Sequence, residues 1–404
     1  MKTPAVQVGE LALNNSGAFK IGPFGSSLKK TELVESGIPV AGIENVLPNK
    51  FVKGFRRFIT PRKFDQLSDY EILPDDVLVT TMGTIGRAAS APPDIGRVIF
   101  DSHLFRMRVN TSRVFPPYLC YAINSDLVAS QLVRMARGAI MEGLNTTILR
   151  ECSIPLPDMS EQRRIAGQLE KADRLCRTRR YAVELTDTFL PAAFLELFGD
   201  PQTNSKGWDM STIEDVVVFS QYGTSQKSNS DKQGYPVLGM VNITTKGSLD
   251  LSTLAYVNLP KDEFQGLALQ RGDIIFNRTN SAELVGKTAC WNVDMSAVLA
   301  SYLVRLRLKP EVLPEFFSAL LNTGYFKNLF RDRCKKAVGQ SNISPTLLKE
   351  FPAYIPPLSL QQKFATLVEQ VERLRAVQRE ELRQAEHLFA SLLDRSFGAT
   401  GAHQ

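Results

Sequence analysis

Ser160-Glu161-Gln162 opens a helical pattern that closes on Phe198-Gly199, and Ser359-Leu360-Gln361 opens a second that closes on Phe397-Gly398. Both ends lie 199 positions apart (359 − 160 and 398 − 199). The bodies match too: Ile165, Ala166, Leu169, Glu170, Arg174 and Leu175 face Phe364, Ala365, Val368, Glu369, Arg373 and Leu374. A repeat this long is a duplicated domain and not a solenoid, whose units run to roughly 20–50 residues. Duplication predicts a pseudo-twofold molecule whose target also has two halves.

Each stretch carries helix punctuation. Ser160 and Ser359 are expected N-caps, with capping-box spacing from Ser359 to Gln362. Gly199 and Gly398 sit where a glycine ends a helix. Ile165, Leu169, Ala172, Cys176, Val183, Leu190, Ala193 and Leu197 form one apolar stripe; Phe364, Val368, Val371, Leu374, Leu382, Ala385, Phe389 and Leu392 form the other. About 38 residues rising 1.5 Å each make a rod of roughly 57 Å, too exposed to stand alone. The nearest partner for each stripe is its own copy, and the symmetry of the repeat predicts antiparallel packing. Pro191, where the other copy has Ala390, is expected to kink or stop the first helix.

The repeat extends upstream. Gly37-Ile38-Pro39-Val40-Ala41-Gly42-Ile43-Glu44-Asn45-Val46 matches Gly234-Tyr235-Pro236-Val237-Leu238-Gly239-Met240-Val241-Asn242-Ile243. Asp76-Val77-Leu78 matches Asp273-Ile274-Ile275, and Arg106-Met107-Arg108-Val109 matches Arg305-Leu306-Arg307-Leu308. Strands are expected at 77–80 and at 105–109, the latter with period-two alternation. Helical patches are expected near 117–123 and 315–321, and short helices after Asn145 and Ser344. Ile154-Pro155-Leu156-Pro157 and Tyr354-Ile355-Pro356-Pro357 read as closing strands. The reading is an α+β fold: a globular domain at 1–157, a helix at 158–199, a second domain at 200–357, a second helix at 358–398 and a flexible tail at 399–404, with the two helices forming an antiparallel intramolecular coiled coil. Between the anchors the halves diverge, as a shared scaffold with changeable specificity would.

Composition bounds the function. A chain of 404 residues suits two domains plus connectors. No signal peptide or membrane span is visible, and five widely spaced cysteines form neither a metal pattern nor a disulfide framework, so a cytoplasmic location is expected. Net charge is +6. Residues 1–200 carry 25 Lys+Arg against 22 Asp+Glu and residues 201–404 carry 23 against 20, so the excess is equally shared. Such mild basicity is compatible with nucleic-acid binding without proving it.

An enzyme should leave a catalytic constellation, and none is legible. Of three histidines only His103 lies in a globular segment, and a lone histidine is more often structural than catalytic. No phosphate-binding loop, HExxH motif, or aromatic-flanked Asn-Pro-Pro or Asp-Pro-Pro segment occurs. Gly83-Thr84-Ile85-Gly86 reads better as a hairpin turn than as a phosphate cradle. No catalytic residue, metal site or cofactor is expected.

What remains is polar, basic loop chemistry at matched places. The first half offers Lys20, Ser26, Ser27, Lys29 and Lys30, then Thr80, Thr81 and Arg87. The second offers Gln221, Tyr222, Thr224, Ser225 and Lys227, then Asn277, Arg278, Thr279 and Lys287. Gln, Asn and Arg read base edges bidentately, while Ser, Thr and Lys hold phosphates. Any one of these residues could equally sit in a solvated loop; their recurrence at matched positions favours DNA contact. Arg331, Arg333, Lys335 and Lys336 form a denser run, either a solvated helix face or a phosphate track.

With these residues in view, the whole chain resembles the specificity subunit of a Type I restriction–modification system. The signatures are Gly22-Pro23-Phe24-Gly25-Ser26 with Gly37-Ile38-Pro39-Val40, then Tyr222-Gly223-Thr224-Ser225, and above all Ile154-Pro155-Leu156-Pro157 followed by Glu161-Gln162. The second junction departs from the pattern, with Gln361-Gln362 where Glu-Gln is usual. The resemblance implies two target-recognition domains separated by conserved helices. It implies a non-catalytic subunit that reads a bipartite double-stranded DNA site across an unread spacer. Two methyltransferase (modification) subunits, and restriction/translocase subunits through the complex, would supply the chemistry. Glu161, Gln162, Gln361 and Gln362 are the expected partner-docking positions. The alternatives are a coiled-coil scaffold with two protein-binding ends, and an enzyme with an unrecognised site near His103.

Overall fold

In a computed structural model of the chain, residues 3–25, 27–135, 144, 146–337 and 340–398 are described; at 335–337 and 340 the description covers the backbone alone. They fall into two compact units, Met1–Arg179 with Glu381–Gln404, and Arg180–Glu380. Two 40-residue helices, α1 (Met159–Phe198) and α2 (Leu358–Phe397), each run through both.

Unit 1 is built on a four-stranded antiparallel sheet of β1 (Phe19–Ile21), β2 (Val77–Thr80), β3 (Ala88–Ser90) and β4 (Leu104–Met107), in the order β1-β4-β2-β3. Unit 2 repeats it with β5 (Val217–Tyr222), β6 (Ile274–Asn277), β7 (Thr288–Cys290) and β8 (Leu303–Leu308), in the order β5-β8-β6-β7. Each unit adds a short parallel pair: Val40-Ala41 beside Ile99-Phe100, and Val237-Leu238 beside Val298-Leu299. The expected helical patches form Pro116–Ile123 and Pro314–Leu321. Ser344 caps the helix Pro345–Lys349, its hydroxyl accepting from the Leu347 N–H at 3.1 Å. Its counterpart is Thr146–Glu151, though the expected cap Asn145 lies outside the described residues. The closing strands are Ser153–Pro155 and Pro352–Tyr354, paired with Ala5–Gln7 and Met210–Thr212.

The alternation in β4 does not mark a solvent-facing side. Its four residues are all buried, Arg106 included. The Arg106 guanidinium donates to the carbonyls of Glu71 (2.7 Å), Gly17 (2.8 Å) and Asp69 (3.1 Å), and Arg108 reaches the buried Asp76 at 3.4 Å. Unit 2 repeats the device: Arg305 is buried against the Ala268 and Gly266 carbonyls, and Arg307 forks onto Asp273 at 2.9 and 3.0 Å. These arginines are internal because carbonyls and one aspartate replace their hydration.

The helices pack antiparallel in both units. In unit 1, Ile165, Ala166 and Leu169 near the start of α1 share a core with Phe389, Leu392, Leu393 and Phe397 at the end of α2. In unit 2, Phe194 and Phe198 at the end of α1 meet Phe364 at the start of α2, with ring centroids 5.7 and 5.5 Å apart. The helix does not stop at Pro191, which is exposed, because Phe194 and Phe198 anchor the turns beyond it.

Three punctuation marks differ from expectation. The helices begin at Met159 and Leu358, so both serines fall inside the first turn. Asp158 caps α1, its carboxylate accepting from the Glu161 N–H (2.9 Å) and the Ser160 hydroxyl (2.6 Å), whereas Pro357 precedes α2. Gly199 ends α1 at φ +79°, but Gly398 has no positive φ. Leu374, expected in the stripe, is 47% exposed; Arg375 takes the heptad position beside it and is buried, donating to the Thr186 carbonyl at 3.0 Å.

Candidate nucleic-acid interface

The sheet register gathers the candidate loops. In unit 1 the pairs Phe105↔Ile21, Leu104↔Thr80 and Val79↔Ala88 bring the end of β1, the end of β2 and the starts of β3 and β4 to one edge. The segments that leave that edge are 22–30, 81–87 and 101–103. In unit 2 the pairs Tyr222↔Val304, Asn277↔Leu303 and Phe276↔Thr288 do the same for 223–234, 278–287 and 300–302. Segments far apart in sequence thus meet at corresponding places in both units.

In unit 1, Ser27, Lys29 and Lys30 are exposed, and among the described residues neither ammonium forms a hydrogen bond or a close ion pair. Ser26 lies outside the described residues. Arg87 is half-buried with no ion pair among the described residues, and Phe24, Met82 and Ile85 stand exposed on the neighbouring turns. Lys20 is held on β1 by Asp69 at 2.7 Å and lies over the Tyr70 ring. Thr80 and Thr81 are buried. The Thr80 hydroxyl closes the turn onto the Thr84 carbonyl, so the glycine-rich stretch is the hairpin between β2 and β3. His103 is half-exposed beside Asp101 (3.3 Å), which Arg57 also engages at 2.6 Å.

In unit 2, Tyr222 is 46% exposed and Arg278 lies over its ring, 4.9 Å from the centroid. The Arg278 fork donates to Asn342 Oδ1 (3.0 Å) and the Ser301 carbonyl (3.4 Å). Ser225 and Lys227 are exposed, and Thr224 is buried with its hydroxyl accepting from the Gln226 N–H at 3.1 Å. Gln221 is turned inward, its Oε1 engaged by Arg305. Asn277 and Thr279 are buried. Lys287 is buried too and donates to the Met240 and Ile243 carbonyls (2.7 and 2.5 Å). Burial pushes its ammonium below the ordinary lysine range. Gln221 and Lys287 are therefore committed within the protein, whereas the carboxylate that pairs with Lys20 is exposed.

Two contributors escaped the sequence reading. Asn342 comes to Arg278 because Gln340–Asn342 pairs with both Thr279-Asn280 and Lys335–Ala337. The basic run containing those lysines is not one helix face: its helix ends at Arg333 and Lys335-Lys336 lie on a strand. Gly339 before Gln340 was the available turn signal. Tyr302, 46% exposed, holds the place of His103 at the same 199-residue offset.

The helix starts hold a different chemistry. Gln162 and Gln361 are buried, 1% and 0% exposed, which removes them as docking positions. Gln162 Oε1 accepts from the Phe115 N–H (2.8 Å), and its Nε2 donates to the Pro157 (2.9 Å) and Arg113 (3.1 Å) carbonyls. Gln361 makes the same three bonds to Leu313 (2.8 Å), Pro356 (2.8 Å) and Glu311 (3.1 Å). The true equivalents across the repeat are Gln162 and Gln361, each fastening a helix to its own domain. Glu161, paired with Arg164 at 2.6 Å, and Gln362 remain toward solvent.

Among the described residues no helix is long and apolar enough to cross a membrane. The family model described as Type I restriction modification DNA specificity domain matches residues 19–184 and again 205–387. A chain of Methanocaldococcus jannaschii assigned as the MjaX type I restriction enzyme specificity subunit is 31% identical over 170 residues, 41% of this chain and 40% of that one. The type I restriction enzyme EcoKI specificity subunit of Escherichia coli K12 is 22% identical over 275 residues, 64% of this chain and 59% of that one. The aligned part therefore spans well under two thirds of these relatives' length. The Type-I restriction-modification system S subunit from M. genitalium superposes with a TM-score of 0.61 at 15% identity, covering 98% of this chain and 96% of that one. A chain from a structure of type I R-M complex assembly and conformational transition gives 0.54 at 19%, covering 97% of each. At such identities the superpositions establish the fold. The family match covers both halves of the duplication, and the chain belongs to the Type I restriction modification DNA specificity domain family.

Proposed function

We propose that the chain is a non-catalytic DNA-specificity subunit that reads a bipartite double-stranded site, one half with each unit. The observation that carries this is the duplicated sheet edge: loops of unlike sequence leave the same place on two like scaffolds. Unit 1 offers Lys29, Lys30, Ser27 and Arg87 there, and unit 2 offers Tyr222, Ser225, Lys227 and Arg278. Lysines and hydroxyls suit phosphates, and arginine suits a base edge. The recognition domains are 1–157 and 200–357, with helices at 158–199 and 358–398 that fix the distance between half-sites.

Methylation belongs to partner methyltransferase subunits, two by the symmetry of the repeat, and cleavage to restriction/translocase subunits joined through them. Glu161, Gln362 and the open faces of the helices, including Tyr181, Leu185 and Phe189, are the docking surface. Those three stand one helical turn apart on one face. The subunit itself needs no cofactor. The test is to map methylated adenines in the host genome with and without this gene, and again after exchanging residues 201–356 for those of a relative. Loss of one bipartite motif, and a change in one half of it after the exchange, is the expected result. Methyl transfer by the purified chain alone would overturn the reading.

A further inference from the structure

Resting on that reading, we infer that unit 2 reads a guanine in the major groove through Arg278, with Tyr222 and Asn342 as its positioning residues. Three features set this side chain apart. The Tyr222 ring lies beneath the guanidinium, at 4.9 Å, and fixes its plane. Asn342 Oδ1 at 3.0 Å fixes its rotation within that plane, and the Ser301 carbonyl at 3.4 Å is a long, weak third hold. Among the described residues no carboxylate forms an ion pair with it. A positive fork oriented by a ring and an amide, rather than quenched by an acid, is prepared for an external acceptor pair.

The hydrogen-bond count agrees. Five N–H groups are available on an arginine. Two are used, and each terminal nitrogen keeps one, which matches the O6 and N7 acceptors that a guanine presents in the major groove. The strand exit is also under-satisfied as it stands. Asn277 Oδ1 and Nδ2, Arg278 Nε and Thr279 Oγ1 are buried without a partner, on three consecutive residues. Most buried polar groups are paired, so four such atoms on three consecutive residues mark a segment whose bonding is completed elsewhere. At the equivalent place in unit 1 stands Thr81, whose buried hydroxyl is also unpartnered but which has no fork. The guanine contact therefore belongs to unit 2 alone.

The test uses the full chain and duplexes carrying its mapped site, with the unit 2 half-site identified by the 201–356 exchange. Each guanine there is replaced singly by 7-deazaguanine, which lacks N7, or by inosine, which keeps O6 and N7. One 7-deazaguanine position should weaken binding about 10- to 100-fold while inosine at that position is tolerated. Arg278→Ala should lose a similar factor on the guanine duplex and nothing more on the 7-deazaguanine duplex. The analogue arm needs no protein variant, so it stands even if Arg278→Ala folds poorly. Specific binding with no sensitive N7, additive losses, an inosine effect as large as the deaza effect, or an Arg278→Ala loss equal on random DNA would each overturn the assignment. Wild-type binding with no sequence preference would instead refute the specificity-subunit reading on which it rests.

Discussion

Replacing Gln361 by alanine tests whether the domain is fastened to its helix by one buried amide. The side chain is fully buried and bridges three backbone groups of its own unit: the Leu313 N–H and the carbonyls of Pro356 and Glu311. Truncation orphans the donor, at about 1–3 kcal/mol, and removes two further bonds worth about 0.5–1.5 kcal/mol each. A total of about 2–6 kcal/mol follows, toward the upper end if the vacated space stays dry. Both tryptophans, Trp208 and Trp291, belong to unit 2, so their fluorescence in urea reports this unit. With a slope of ~2–3 kcal/mol per molar for a domain of this size, the midpoint should fall by about 0.7–3 M. A fall under about 0.3 M would mean that water replaces the amide at no cost and that the glutamine fastens nothing.

Gln361→Glu sharpens the test. The isostere keeps the acceptor for Leu313 but turns a carboxylate toward two carbonyls, so burial and repulsion raise its folded pKa. An unfolded glutamate titrates near about 4.3. A carboxyl raised in the fold is at full stability below that value and loses it as pH climbs toward the folded one. The variant should therefore be close to wild type in mild acid and weakest at neutral pH. The opposite trend would refute the geometry.

Asp158→Ala should expose the first-turn Glu161 amide of α1 to hydrogen exchange at neutral pH. The Ser160 hydroxyl and then the Glu161 N–H hold the Asp158 carboxyl below its ordinary range, so the cap is fully effective above the unfolded aspartate value and fails as pH drops through the folded one; unchanged protection at pH 7 would refute it. Lys29→Ala and Lys30→Ala should each flatten the plot of log affinity against log salt by about 0.9 and weaken all sequences alike, a loss confined to one sequence counting against phosphate contact. Inserting four residues into both α1 and α2 adds about 6 Å to each, and should widen the spacer in the methylated motif by about one or two base pairs; an unchanged spacer would refute the ruler.

The duplication, the two helices and their antiparallel packing were legible because they rest on repeated local signals. Apolar spacing and matched anchors survive divergence between the halves. What stayed hidden needed knowledge of what lies across a gap. Arg106 alternates with apolar neighbours as a solvent-facing residue would, and only the carbonyls of Gly17, Asp69 and Glu71 make it a core residue. Leu374 looked like the stripe and Arg375 did not, yet Asp187, at 3.4 Å, and the Thr186 carbonyl lie opposite Arg375. Gln162 and Gln361 read as exposed docking positions for the same reason. Among the site candidates, sequence found the right loops but not which side chains are spent inside them. Lys287 looks like a phosphate ligand until the Met240 and Ile243 carbonyls claim it.

That division explains how one scaffold can serve two targets. Beneath each sheet edge lies a matched ion pair, Asp76 with Arg108 in unit 1 and Asp273 with Arg307 in unit 2, that takes nothing from the loops above. Asn45 and Asn242 likewise close their own turns, each accepting from the glycine three residues before it, at 2.9 and 2.8 Å. A residue beyond the edge can then change without unpairing anything below it. The matched tips Thr81 and Arg278, and His103 and Tyr302, differ in size, charge and hydrogen-bonding capacity, yet each sits just past the end or start of a strand whose register is the same in both units. Divergence is cheap where a side chain closes no bond of the scaffold and costly where it does. This is why the repeat is recognisable at Asp76, Arg106 and Gln162 and fades at the loops that would choose the DNA sequence.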